Sequence, residues 1–154
     1  MRDLFLKIIP ANKLASKMRT LNKRGLKVVF TNGCFDLLHE GHVSYLQRAR
    51  NLGDILIVAL DTDSAVRSQK GAGRPINALR SRQRVIAALE SVDFVTSFGG
   101  SNPLPLINKL RPDILAKGGD WKIHQIIGAK ETLDRGGKVY SLPFVKGKST
   151  TNIV

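Results

Sequence analysis

The feature that most constrains the fold is a run of six apolar residues, at positions 55–60, with no polar residue among them. A strand with one face in water alternates apolar and polar residues, so an uninterrupted run indicates a strand that is buried on both faces. Such strands are typical of parallel sheets that are covered by helices on both sides. The run therefore predicts an α/β fold.

Strands and helices alternate along the rest of the chain. Apolar or β-branched runs predict the strands, at about residues 27–31, 54–60, 93–98, 114–117 and 138–142. Helical spacing of apolar residues predicts the helices, at about residues 42–51, 81–89, 103–110 and 126–133. This order predicts a Rossmann-like, doubly wound fold with a mainly parallel five-stranded sheet and helices on both faces.

The chain is long enough for one domain with a real core. After Pro10, the residues Leu14, Met18 and Leu21 recur at helical spacing and predict an amphipathic lead-in over residues 1–24. Residues 25–154 are then expected to form the domain proper.

Three finer expectations concern connections. The helix at 81–89 is expected to turn Val85, Ala88 and Leu89 toward the core. Residues 61–64 end a strand with polar side chains that can cap a helix. Residues 70–75 form a basic, glycine-rich loop that is expected to be mobile and lacks the spacing of a Walker loop.

One stretch, residues 28–42, combines a strand, a glycine and a helix start. Asn32 and Gly33 are predicted to form a tight turn, because glycine tolerates unusual backbone angles. The first N–H groups of a helix are unpaired and bind anions. His39 and His42 flank Gly41 near this helix start, and imidazoles donate hydrogen bonds to phosphate oxygens. The stretch therefore predicts an anion site.

Polar clusters also follow the other strands. They lie at residues 61–64, 118–121 and 146–151, the last of which is expected to enter a helix at a Ser/Thr cap. Ligands of doubly wound sheets bind at the carboxyl ends of the strands. These clusters therefore predict one site, shared with the two histidines, at that edge of the sheet.

The composition agrees with an anionic partner. The chain has 25 Lys and Arg residues against 12 Asp and Glu residues, for a net charge of +13, which favours a nucleotide, a sugar phosphate, a nucleic acid or a membrane surface. Cys34 is the single cysteine, so a reducing compartment is expected and, without a bilayer-spanning run or a signal peptide, a cytoplasmic location. Cys34 has no His arrangement beside it that predicts a nucleophile.

The motifs resemble the HxGH nucleotidyltransferase superfamily and its cytidylyltransferase-like group. Within that group the chain is most similar to the adenylyltransferase domain of heptose 1-phosphate synthesis, the second domain of the bifunctional heptose kinase/adenylyltransferases. The similarity runs from about Lys27 to the end. The blocks that carry it are residues 31–39, 41–46, 74–77, 117–120 and 149–153.

The resemblance implies a reaction. A sugar 1-phosphate, D-glycero-D-manno-heptose 1-phosphate, attacks ATP to give ADP-heptose and pyrophosphate, a step toward lipopolysaccharide. The substrate supplies the nucleophile, so the protein aligns two polyanions and stabilises charge on the leaving group. Mg²⁺ is carried with ATP, no protein metal ligand is assigned, and a homodimer is implied without a nucleic-acid or membrane partner.

The resemblance also implies residue roles. Catalytic roles fall to His39, His42 and Lys117. Nucleotide contacts fall to Thr31, Asn32, Gly33, Cys34, Phe35, His39, Gly41, His42, Ser149, Thr150 and Thr151. Substrate contacts fall to Asp36, Asp63, Arg74, Arg82, Gly118, Gly119, Asp120 and Trp121. For Asp36 and Asp63, capping a turn or a helix is an equal alternative, and for Arg82 a solvated helix charge is favoured.

Two rivals stay open. One is a CTP-dependent cytidylyltransferase for glycerol 3-phosphate or a related polyol phosphate. Such enzymes carry an acid where this chain has Gly119, and an arginine and a glutamate that residues 145–148 lack, while Arg80 stands where the heptose family has an acid. The other is a basic nucleic-acid-binding module, which ranks lower because aromatic residues are only 6% of the chain.

Overall fold

The computed structural model describes residues 3–144 and 146–147. The strands are β1 (Val28–Gly33), β2 (Ile55–Asp61), β3 (Phe94–Phe98), β4 (Ile114–Gly118) and β5 (Lys138–Leu142). The α-helices are α1 (Ala11–Lys23), α2 (Glu40–Arg50), α3 (Asp63–Lys70), α4 (Leu79–Ala87), α5 (Leu104–Leu110) and α6 (Ala129–Asp134). Short 3₁₀ helices occupy Leu4–Lys7 and Ile123–Gln125.

The five strands form one sheet in the order β3-β2-β1-β4-β5, and the recorded pairings are all parallel. The predicted α/β, Rossmann-like sheet is therefore confirmed. The chain builds outward from β1 through β2 to β3, then returns to β4 on the other side of β1. The order thus reverses between β1 and β4, which is where doubly wound sheets bind their ligands.

Two apolar clusters cover the two faces of the sheet. On one face, side chains of α1, α5 and α6 pack with Phe30, Ile57 and Leu115. On the other, α2 and α4 pack with Val29 and Val58. Successive side chains of a strand point to opposite faces, so each central strand feeds both clusters, as its unbroken apolar run predicts.

The N-terminal helix is part of this core. Leu14, Met18 and Leu21 of α1 are buried in the same cluster as Phe30, as their spacing predicts. The boundary between residues 1–24 and 25–154 stays a prediction. Within the described residues, every helix falls short of the length and apolar character that a bilayer span requires.

The turn after β1 differs from the prediction. Asn32 and Gly33 continue the strand and pair with Ala59 and Leu60 of β2. The unusual backbone angle lies at Phe35, with φ of 49°, in the left-handed region that glycine or asparagine usually occupies. The turn therefore comes two residues later, at a residue whose type gives no local hint of it.

Two further expectations concern helices. The segment after β2 ends the strand and caps a helix, as predicted: Thr62 is the N-cap of α3. In α4 the buried residues are Arg82, Ile86 and Ala87, whereas Val85 is 46% exposed and Ala88, just after the helix, is also exposed. Leu89 packs against the core, as predicted. Helix α4 is rotated relative to the prediction because the guanidinium of Arg82 points inward, where backbone carbonyls bind it.

Candidate active site

Two adjoining cavities lie at the carboxyl ends of the central strands. The larger, about 340 Å³, is here called the aspartate cavity, and its walls include Asp61, Gln69, Trp121 and the segment 125–127. The smaller, about 180 Å³, is called the histidine cavity, and its walls include Phe35, Asp36, His42, Tyr45, Gly118 and Phe144. Both cavities are lined by Asn32, Gly33, Cys34, Lys70 and Lys117.

Strand alternation sorts the side chains between the two faces of the sheet. Phe30, Ile57 and Leu115 belong to the cluster on the face away from α2. Residues two or four positions further along the same strands share that face. Asn32, Asp61 and Lys117 therefore project from three neighbouring strands toward the aspartate cavity, while α2 presents His42 from the opposite side.

The two histidines form the cap of α2. His39 is the N-cap, and its Nδ1 accepts a hydrogen bond from the backbone N–H of Gly41 at 3.1 Å. The Nδ1 of His42 accepts one from the backbone N–H of His39 at 3.3 Å. Because each Nδ1 is an acceptor, each neutral ring carries its hydrogen on Nε2. Each imidazole therefore has its Nε2–H group as the donor for an anion, whereas the backbone N–H of Gly41 is used in the cap.

His42 is held in its neutral form. Burial, followed by the nearby charges of His39 and Lys70, lowers its pKa to about 4. The ring of His39 stacks on it with centroids 3.9 Å apart, and Phe35 meets it edge-on at 5.3 Å. A neutral histidine donates to a phosphate oxygen without a proton transfer, which suits a group that stabilises charge rather than acting as an acid.

Thr31 lies beneath the histidine cavity and is fully buried. Its hydroxyl shares a hydrogen bond with the hydroxyl of Tyr45, which also donates to the carbonyl of Ala116. Burial raises the pKa of Tyr45 to about 12, so the phenol stays protonated. These bonds tie α2 to β1 and β4. A nucleotide contact by Thr31 stays a prediction.

Asp36 organises the loop before α4. Its carboxylate accepts the N–H groups of Ile76 and Asn77, each at 2.8 Å, and the Nε of Arg74 at 2.9 Å. Although burial alone would raise it, these donors lower the pKa of Asp36 below its usual value. Asp36 therefore caps the distant loop at residues 74–77 rather than its own turn. Substrate contacts by Asp36 and Arg74 stay predictions. Arg74 still has a buried Nη2 for which the described residues provide no acceptor.

Arg82 is fully buried, so the favoured prediction of a solvated helix charge is wrong. Its side chain joins three segments. It donates to the carbonyls of Cys34, Asp61 and Asn77, each at 2.9 Å, and to the carboxylate of Asp63 at 2.7 Å. Asp63 also accepts the first N–H of α4, from Leu79. Helix capping is thus realised for Asp63, and the guanidinium of Arg82 fixes the ends of β1 and β2. Substrate contacts by these two residues stay predictions.

Lys117 and Asp61 are the opposed charges of the aspartate cavity. Burial lowers the pKa of Lys117, and the charge of Asp61 raises it in part. Burial raises the pKa of Asp61, whereas the charges of Lys117, Arg82 and Lys70 and a hydrogen bond from Gln69 lower it in part. Charged groups whose pKa is shifted by burial beside a specific partner, in a cleft, are typical of functional sites.

The glycine pair after β4 shapes one wall. A Cβ on Gly118 would come within 2.9 Å of the ring of Phe144, and one on Gly119 within 2.8 Å of the indole of Trp121. Gly119 also has φ of 115°. Trp121 is 45% exposed and lines the aspartate cavity, so it does not fill the core. Asp120 is exposed at this edge.

Cys34 lines both cavities. Burial raises the pKa of its thiol, so the thiol stays protonated at neutral pH, and a protonated thiol is a poor nucleophile.

The predicted phosphate contacts of Ser149, Thr150 and Thr151 lie outside the described residues. Among the residues that are described, no group of three or more His, Cys, Asp or Glu side chains could hold a metal ion.

The sequence prediction placed Asp61 at this edge only as part of the 61–64 cluster and gave it no individual role. It also gave no role to other wall residues, notably Gln69, Lys70, Tyr45 and Phe144. Asp61 carried the same signal as Lys117, a charged residue at the end of an apolar strand. Tyr45 and Phe144 carried no comparable signal, because an aromatic residue at these positions is equally typical of a core.

The chain is similar to known proteins over nearly its whole length. The model of the cytidylyltransferase-like family matches residues 30–153. A bifunctional protein HldE of Actinobacillus succinogenes is 50% identical over 96% of this chain, and another, of Citrifermentans bemidjiense, is 48% identical over 99%. The chain spans 31% of the length of these curated relatives.

Solved structures agree on the fold. A lipopolysaccharide core biosynthesis protein from Thermoplasma volcanium superposes with a TM-score of 0.64, at 29% identity, and covers 80% of this chain and 100% of its own. A pantoate-beta-alanine ligase from Francisella tularensis superposes with a TM-score of 0.63 over 95% of this chain and 74% of its own, at 17% identity. The second likeness concerns the fold alone.

Proposed function

The chain belongs to the cytidylyltransferase-like family of nucleotidyltransferases, and on that premise we propose that it is a sugar-phosphate adenylyltransferase. It joins ATP and D-glycero-D-manno-heptose 1-phosphate into ADP-heptose and pyrophosphate, for lipopolysaccharide precursor synthesis. The observation that carries the proposal is 50% identity to a bifunctional protein HldE across 96% of the chain, together with the motif resemblance. A cytoplasmic location and a homodimer go with it.

The presence of two adjoining cavities supports a reaction between two substrates. The triphosphate lies in the histidine cavity, against His42, and the sugar phosphate lies in the aspartate cavity. An oxygen of the sugar phosphate attacks the α-phosphorus of ATP, the bond from that phosphorus to the bridging oxygen breaks, and pyrophosphate leaves with the electron pair. Lys117 lines both cavities, so its ammonium is placed to attract both reacting phosphates.

The protein contributes alignment and charge stabilisation. The Nε2–H of His42 donates to phosphate oxygens of the nucleotide, and because its Nδ1 is fixed by the backbone, the donor is aimed before the substrate binds. The buried Nη2 of Arg74 has no acceptor among the described residues, so it is a donor for a phosphate oxygen. The Mg²⁺ that arrives with ATP neutralises phosphate charge, and the chain positions the phosphates.

A substrate panel tests the proposal. The protein is incubated with Mg²⁺, either ATP or CTP, and a set of sugar or polyol phosphates, and pyrophosphate release is followed. We expect turnover with ATP and heptose 1-phosphate. Turnover confined to CTP and glycerol 3-phosphate would replace this proposal with the cytidylyltransferase alternative.

Two substitutions at His42 separate its chemistry from its cap. In His42→Asn the amide oxygen still accepts the N–H of His39, but the Nε2 donor is gone. In His42→Gln a donor remains near the Nε2 position, but the cap acceptor is gone. We expect His42→Asn to lower kcat by roughly a hundredfold or more while the melting temperature holds. An active His42→Asn would remove the assigned role.

A further inference from the structure

Asp61 is a charged group of the aspartate cavity that the reaction described above does not use. It is the last residue of β2 and only 6% exposed. Its backbone carbonyl accepts Nη1 of Arg82 at 2.9 Å, and the same nitrogen binds the carbonyl of Cys34. Arg82 therefore fixes the backbone of Asp61 in the cavity wall, and Gln69 hydrogen-bonds its carboxylate.

A carboxylate is an unusual group in a cavity whose ligand is a polyanion. Lys70 and Lys117 attract phosphate, whereas Asp61 repels it. Of the described residues that line this cavity, Asp61 is the one acid, and its polar neighbours include the neutral side chains of Gln69 and Gln125. A carboxylate accepts hydrogen bonds and donates none. It therefore suits the uncharged, hydroxyl-bearing part of a ligand.

We propose that Asp61 binds hydroxyl groups of the acceptor sugar and thereby selects and orients that substrate. The assignment rests on the proposed function and deepens it. Sugar hydroxyls donate to the Asp61 carboxylate, while the phosphate is repelled from Asp61 and attracted to Lys117. A sugar phosphate likewise has hydroxyl groups at one end and a charged phosphate at the other. One orientation in the cavity is therefore favourable, and this orientation directs the phosphate toward the nucleotide.

The side of the sheet distinguishes the acceptor from the nucleotide. Asp61 shares a face with Ile57 and Ala59, whose cluster lies away from α2, while His42 belongs to α2 and lines the histidine cavity. A ligand that reaches Asp61 occupies the other cavity and meets the nucleotide over the shared wall.

Steady-state kinetics of Asp61→Asn test the proposal. We expect the KM for heptose 1-phosphate to rise about tenfold to hundredfold, the loss that follows removal of a charged hydrogen-bond partner. The KM for ATP is expected to stay unchanged. Asp61→Ala, which accepts no hydrogen bond, is expected to show at least the same effect. Asp134→Asn, on an exposed carboxylate paired with Lys130, is the charge control.

Monodeoxy analogues of the sugar phosphate supply a second measurement. We expect the wild-type protein to discriminate against at least one analogue, and Asp61→Asn to lose that discrimination. A melting temperature within a few degrees of wild type establishes that the variant is folded.

The outcomes separate the two proposals. Wild-type protein that turns over no sugar phosphate with ATP overturns the proposed function and this assignment together. Wild-type turnover combined with an unchanged acceptor KM in Asp61→Asn overturns the assignment alone. A rise in the KM for ATP, or in the Mg²⁺ concentration required, also overturns it, because the carboxylate would then serve the nucleotide or its metal.

Discussion

Asp36 and Asp61 lie near the ends of adjacent strands and are almost equally buried, at 5% and 6% exposure, yet their pKa values shift in opposite directions. Asp36 accepts three N–H donors at 2.8–2.9 Å. Asp61 has cations nearby, and burial outweighs them. The difference shows that burial alone does not decide what a carboxylate does. Three N–H donors satisfy Asp36, whereas the carboxylate of Asp61 has a neutral hydrogen-bond partner in Gln69 and keeps lone pairs for a ligand.

The largest expected effect concerns Asp36. Asp36→Asn removes the charge that Arg74 pairs with and places an amide where three donors converge, so we expect a loss of about 3–5 kcal/mol in the free energy of unfolding. Urea denaturation measures it. Asp61→Asn is the matched control in an equally buried site. Equal losses in the two variants would end the distinction between them.

His42 supplies a second test on the same side of the sheet. Its folded pKa of about 4 lies below the unfolded value of 6.5, so its contribution to stability is complete above pH 6.5 and is lost as the pH falls toward 4. We expect wild-type protein to lose roughly 3 kcal/mol across that window relative to His42→Asn. Parallel stability curves for the two proteins would show that His42 titrates normally.

The smallest expected effect on stability is that of Asp61, and its pH dependence is opposite to that of His42. Its folded pKa is raised, so its contribution is present at low pH and is lost as the pH rises through the folded pKa. The free energy of unfolding of Asp61→Asn is therefore expected to match that of wild type near pH 3 and to exceed it by about 1 kcal/mol at pH 7. A gain of this size is typical when a functional group is removed. Thermal unfolding at both pH values measures this, and a variant that is less stable at pH 7 would contradict it.

The comparison also shows which parts of the molecule the sequence could predict. The five strands and their common edge followed from apolar runs, because a strand buried on both faces leaves little alternative. The placement of His39 and His42 at a helix start followed from the motif. These are local signals, and local structure preserved them.

What the sequence did not predict depends on contacts between distant segments. The left-handed angle of Phe35 is not encoded in its residue type, and the rotation of α4 depends on carbonyls of residues 34, 61 and 77 that bind Arg82. Asp61 was predicted only as part of the 61–64 cluster, because its individual role depends on which face of β2 it occupies relative to Asn32 and Lys117. That relation exists only once the strands are in register.

The cap of α2 makes the stability of this fold and its proposed chemistry depend on the same side chains. Both imidazoles use their Nδ1 atoms to begin the helix, and the proposed role of His42 uses its Nε2–H to bind phosphate. A substitution that removes both nitrogens, such as His42→Ala, is therefore expected to weaken folding, by about 1 kcal/mol for a lost cap, and to remove the proposed donor as well. Under that proposal, selection for a stable fold and selection for activity act on the same side chain.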